Sequence, residues 1–200
     1  MSDTPIDVFI DLPSFPGPVQ AGRLWSHFRK GRESASFEYN KEWLANPHRF
    51  ALEPLLPLAD GTFHTNPGQS VFGAIGDSTP DRWGRILMRR AELARARTAN
   101  ESPHTLSELD YLLRVNDEAR QGALRFSQDG GQSFCAPPGS TPIPPLVNLS
   151  RLLHAADHFC RDDENAEDLR LLLAPGSSLG GARPKASVKD KKGNLCIAKF

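Results

Sequence analysis

Hydrophobic residues change their period along this chain, and that change confines it to folds that mix strands with helices. Ile6, Val8, Ile10 and Leu12 stand at every second position, separated by Asp7, Phe9 and Asp11. This is the pattern of a half-buried strand. Pro13, Pro16, Gly17 and Pro18 end it. Residues 19–28 and 35–40 read as two further strands, with a turn over 29–34 in which Gly31 is free to take positive φ. Trp43 and Leu44 open a helical turn, and Leu55-Leu56-Pro57-Leu58 is an apolar loop. The period then lengthens. Ser78-Thr79-Pro80-Asp81 reads as a helix start, with a capping serine, a proline in the first turn and an acid at the third helical position. Trp83, Leu87, Ala91 and Ala94 follow on one face, to about Arg97. Thr105 to Glu108 repeats the capping pattern, and Leu106, Leu109, Leu112 and Leu113 supply the apolar face.

Residues 122–126 return to strand character. Residues 136–145, rich in proline, glycine, serine and threonine, form the best linker in the chain. Beyond it Leu149, Leu152, Leu153, Ala156 and Phe159 have helical spacing, and residues 164–173 read as another helix, stopped by Pro175-Gly176. A glycine-rich loop and a short hairpin complete the chain. The expected class is α+β: a small antiparallel sheet with helices over 1–128, a linker over 129–145, and a second part over 146–200.

Lys+Arg and Asp+Glu both number 24, so no global field draws the chain onto nucleic acid or an anionic membrane. Cys135, Cys160 and Cys196 are odd in number, far apart and without a C-x-x-C. Zinc and disulfide frameworks are not expected, which suits a reducing compartment. Asp3, Asp7 and Asp11 interrupt the first apolar stretch, so no signal peptide is expected. No window has the apolar length of a membrane helix. The expectation is a cytoplasmic protein.

The chemistry concentrates in Ser177-Ser178-Leu179-Gly180-Gly181-Ala182-Arg183-Pro184-Lys185 and in the hairpin ending Cys196-Ile197-Ala198-Lys199-Phe200. Backbone N–H groups at Gly180 and Gly181 would form an anion nest, or the pair is a helix-to-strand turn. Gly176 and Gly181 have the Walker spacing, but Ala182-Arg183 stands where Lys-Ser/Thr is required. The kinase G-x-G-x-x-G is also absent. Alternation puts Ile197 and Lys199 on one face. A lysine sharing a buried face needs a partner such as phosphate; otherwise it is an exposed strand lysine. Lys185 either helps to hold a triphosphate or is a solvated charge at a strand start. Ser178 reads as a turn residue on its own. Arg82, Arg85 and Arg89 lie on one helix face, with Arg90, Arg95 and Arg97 nearby; a solvated face is preferred to a docking stripe for an acidic partner or DNA. The six histidines show no metal spacing.

Taken together, Ser-Leu-Gly-Gly-Ala-Arg-Pro-Lys (178–185) and Ile-Ala-Lys-Phe (197–200) resemble the HipA family, the kinase toxins of bacterial toxin–antitoxin pairs. Gly22-Arg23-Leu24-Trp25, Ser36-Phe37-Glu38-Tyr39, Glu42-Trp43-Leu44, Leu56-Pro57-Leu58, Pro80-Asp81-Arg82-Trp83-Gly84 and Gly122-Ala123-Leu124-Arg125-Phe126 extend the resemblance upstream, in the family's order. The resemblance implies an antitoxin-contacting N-terminal subdomain over 1–128 and the start of a kinase-like N-lobe from 146. It implies ATP with Mg²⁺, contacted by Ser178, Leu179, Gly180, Gly181, Ala182, Lys185 and Lys199, and autophosphorylation at Ser178. Its implied partners are a HipB-like DNA-binding antitoxin, with DNA reached only through that partner, and a substrate such as an aminoacyl-tRNA synthetase. The catalytic and Mg²⁺-binding carboxylates of the family follow the hairpin. This chain alone is therefore expected to be inactive, and the rival reading is a non-catalytic antitoxin-binding module or truncated product.

Overall fold

The computed structural model describes residues 5–134, 143, 148–176 and 181–200. Packing divides the chain into two compact units that are interleaved in sequence. One comprises 1–78, 107–109 and 122–135; the other comprises 79–106, 110–121 and 136–200.

The first unit is a mixed α+β structure built on a five-stranded antiparallel sheet. Its strands are β1 (Ile6–Ile10), β2 (Val19–Arg29), β3 (Arg32–Tyr39), β4 (Thr62–His64) and β5 (Leu124–Ser127), in the order β4-β3-β2-β1-β5. The alternation read from the sequence decides which face of β1 is covered: Ile6, Val8 and Ile10 are buried. Val8 lies opposite Gly22 on β2 and opposite Phe126 on β5. Glycine at 22 lets the strands close, because a Cβ there would stand 2.2 Å from the Glu38 carbonyl oxygen and 2.5 Å from the Phe37 ring. The expected six-residue turn between β2 and β3 is shorter. The two strands pair as far as Arg29 and Arg32, and only Lys30 and Gly31 turn, with φ of 50° and 75°. Two successive residues at positive φ match the twist of a two-residue hairpin.

Two short helices accompany the sheet, α1 (Lys41–Ala45) and α2 (Gly73–Gly76). Asn40 caps α1 by accepting from the Glu42 amide. Trp43 is fully buried, with Phe15 and Phe50 edge-on to it at 5.9 and 5.4 Å. The apolar loop contributes Leu56, while Leu55 stays exposed. The loop is pinned by the Tyr39 hydroxyl, which donates to the Leu56 carbonyl at 2.7 Å and accepts from the Leu52 amide at 3.0 Å.

The second unit is built on α3 (Arg82–Ala99), α5 (Leu149–Cys160), α6 (Ala166–Gly176) and the hairpin of β6 (Lys185–Lys189) and β7 (Leu195–Lys199). α4 (Glu108–Leu113) starts in the first unit, where Glu33 accepts from the Glu108 and Leu109 amides, and ends in the second. The core of the second unit joins Trp83 and Leu87 of α3 to Leu152, Ala156 and Phe159 of α5, Leu169 and Leu172 of α6, and Ala186 and Val188 of β6. Trp83 meets Phe159 edge-on at 5.0 Å.

Three expectations about this unit are corrected. Asp81, not Ser78, is the N-cap of α3; proline at 80 precedes the cap and holds the chain extended. Pro175 and Gly176 lie within α6 as its last residues and do not stop it earlier. The arginines of α3 are not a uniformly solvated stripe. Arg85 donates to the Pro80 carbonyl and lies 4.6 Å over the Tyr111 ring, and Arg90 donates to Glu164 and Asp162. Most of the expected linker, including Cys135, lies outside the described residues. Among the described residues no helix is long and apolar enough to cross a membrane.

Candidate functional site

Of the residues singled out in the loop, Ser178, Leu179 and Gly180 lie outside the described residues. Gly181, Ala182, Lys185 and Lys199 are described, and the second unit brings three of them to one end of the hairpin. β6 and β7 pair antiparallel with Lys185 opposite Lys199. Directly opposed residues share a face of the sheet, so two ammonium groups project from the same side. Like charges in that position repel; an anion between them would relieve the repulsion. Gly181, with φ of +85°, adopts a left-handed conformation that a larger residue would occupy under strain, and a Cβ built on it would stand 3.0 Å from the Lys185 Nζ. The lysine amine thus rests against the glycine turn. Ala182 is exposed beside it.

The face that Ile197 and Lys199 share is not buried. Ile197 is 55% exposed, Leu195 50%, and Lys199 is exposed. β6 takes the covered place in the hairpin, with Ala186, Ser187 and Val188 buried, while β7 pairs with β6 and turns Ala198 to the core. Burial therefore does not force a counter-charge on Lys199.

The reading of the sequence missed Asp81 as a member of this site. Its Oδ1 accepts from the Arg82 amide at 2.7 Å, the usual work of an N-cap. Its Oδ2 accepts from the Gly181 amide at 2.5 Å. That amide, followed by the Arg82 amide, holds the Asp81 carboxyl below the usual carboxylate range, with Lys185 adding to the effect. Trp83 fastens the same turn from two sides: its amide donates to the Gly181 carbonyl at 3.0 Å, and its indole N–H donates to the Lys185 carbonyl at 2.9 Å. The signal was present in the run Pro80-Asp81-Arg82-Trp83-Gly84, but its function as a clip on residues a hundred positions later depends on tertiary packing.

Three carboxylates between the linker and the loop have basic partners. Asp157 pairs with Arg161, Asp162 with Arg90, and Asp168 with His158. Among the described residues no group of three or more His, Cys, Asp or Glu side chains is arranged to hold a metal ion. The first unit has a separate concavity of about 240 Å³ over β2 and β3, lined by Arg23, Trp25, Glu38 and Tyr39 among others.

These features describe a mixed α+β protein whose antiparallel sheet carries most of the family-like sequence words. A family model described as the HipA N-terminal domain matches residues 17–127, which runs from just before β2 to the end of β5. The chain belongs to that family, and the family sets it in a toxin–antitoxin context. No curated protein matches the chain. The helices α5 and α6 and the hairpin lie beyond the matched residues.

Proposed function

We propose that this chain is the N-terminal part of a HipA-like serine/threonine kinase toxin, in which the second unit supplies the phosphate-holding half of an ATP site. The observation that carries this reading is the register of the hairpin, which sets Lys185 and Lys199 side by side next to the Gly181 turn. Two lysines and a backbone amide suit the oxygens of a triphosphate. Residues 178–182, Lys185 and Lys199 would contact the nucleotide, Mg²⁺ would arrive with it, and the γ-phosphate would pass to a serine of a protein such as an aminoacyl-tRNA synthetase. The sheet-bearing unit would meet a HipB-like antitoxin. Phosphorylation of Ser178 would place about two negative charges beside the turn and oppose ATP.

Asp157, Asp162 and Asp168 each pair with a basic neighbour, which supports assigning none of the three a catalytic or Mg²⁺-binding role. Incubated with ATP, Mg²⁺ and candidate proteins, the chain is expected to incorporate no phosphate. Robust incorporation that disappears in Lys199→Ala would overturn that expectation. In an ATP titration, Ser178→Asp should bind more weakly than Ser178→Ala; equal affinities would leave Ser178 a turn residue.

A second reading, a non-catalytic antitoxin-binding module, is favoured by one observation: the Gly181 amide is already engaged by Asp81. Antitoxin capture with no ATP binding at any concentration would decide for it.

A further inference from the structure

The amide that the nucleotide reading needs already holds an anion, and that anion is a side chain of the same unit. Asp81 spans the two elements, one oxygen on the first amide of α3 and the other on Gly181. It is exposed to solvent, so burial does not strand it there. Lys185 Nζ rests against the same glycine. The Trp83 bonds to the carbonyls of Gly181 and Lys185 bring the backbone on both sides of the turn up to the start of α3.

We infer that Asp81 is a built-in competitor for phosphate: a latch that ties the glycine turn to α3 and must release the Gly181 amide before a polyphosphate takes it. The inference deepens the nucleotide reading above and rests on it. A carboxylate oxygen and a phosphate oxygen are both strong charge-assisted acceptors, and one N–H cannot serve two anions that repel each other at contact distance. ATP affinity is then lowered by the fraction of time the turn spends latched. Release does not uncap the helix, because Asp81 Oδ1 keeps the Arg82 amide. The two oxygens have separable work, which is what a reversible latch requires.

The test uses the 200-residue chain as wild type, Asp81→Ser and Asp81→Asn. Serine is a strong N-cap without charge, and asparagine keeps the shape of the side chain should the serine variant fold poorly. Calorimetry with ATP and Mg²⁺ gives affinity, and ¹⁵N-glycine labelling follows the Gly181 amide. In the wild type the Gly181 resonance should move as acid protonates Asp81, and again on addition of ATP. The acid-induced movement should vanish in both variants. Removing the charge should raise ATP affinity about tenfold in Asp81→Ser, the scale of one charge-assisted bond, and by less in Asp81→Asn. Unchanged or weaker ATP binding in both variants, with the acid response intact in the wild type, would make the Asp81–Gly181 bond a structural clip that does not compete with ATP and overturn the latch. A Gly181 resonance indifferent to acid in a wild type that binds ATP would overturn the latch and leave the nucleotide reading standing. An intact acid response with no ATP binding in any of the three proteins would remove the nucleotide reading, and the latch as a competitor with it.

Discussion

Glu92 shows how much one residue holds in place. It lies on α3 with its side chain 3% exposed, and it accepts from the Arg95 guanidinium, the His104 amide and the Arg114 guanidinium. The Arg95 bonds are the largest cause of its lowered pKa, which falls from 4.5 to about 2 against the opposing effect of burial. A carboxyl depressed by folding stabilises the folded state above its ordinary pKa, and that stability is lost as pH falls. Here the window runs from about 4.5 down to about 2. Glu92→Gln should cost about 1–3 kcal/mol at neutral pH and flatten the acid limb of a plot of melting temperature against pH. An acid limb as steep as that of the wild type would place the linkage elsewhere. The sequence identified the stripe of Trp83 and Leu87 but not this carboxylate. Helical spacing shows that Met88, Glu92 and Ala96 are aligned; only the arrival of Arg114 and His104 makes a charge tolerable among them.

At the scale of elements, the meeting of α6 with β6 and α3 depends on the absence of a side chain. A Cβ on Gly176 would stand 2.8 Å from Leu87 Cδ1, 2.9 Å from the Trp83 indole nitrogen and 3.3 Å from the Lys185 carbonyl oxygen. Trp83 cannot retreat without giving up its bond to that carbonyl. Gly176→Ala is therefore expected to destabilise by about 1–3 kcal/mol, despite the better helix propensity of alanine. Urea unfolding monitored by tryptophan fluorescence would check this, and an unchanged midpoint would mean that α6 has room to shift. The closing hairpin was legible from the sequence. The exposure of Ile197 and Lys199 was not: period two says which residues share a face, whereas what covers the face is set by elements elsewhere in the chain. Likewise β4 and α2 are too short to show a period at all.

For the whole molecule, the α+β class and the sheet words were legible because they are local, and the family match over 17–127 agrees with them. The interleaving of the two units was not, since an amphipathic helix declares its apolar face but not its partner. The core around Trp83 and Leu87 of α3 is completed by α5, α6 and β6, all later than residue 148, whereas Met88 packs on the earlier Tyr111 and Val115. A fragment of residues 1–130 should therefore keep dispersed amides for β1, β2, β3 and β5, while the amides of 82–99 lose hydrogen-exchange protection. Protection retained at Trp83 and Leu87 would show that α3 has a sufficient core without the later helices. The sheet order has a consequence for synthesis. β1 leaves the ribosome before the other strands of its sheet, yet it is an interior strand whose second neighbour, β5, is encoded more than 110 residues later. Until β5 emerges, one row of β1 amides and carbonyls stands unpaired, an open template for other strands. Translation speed across the intervening codons thus sets how long each nascent molecule carries that open edge.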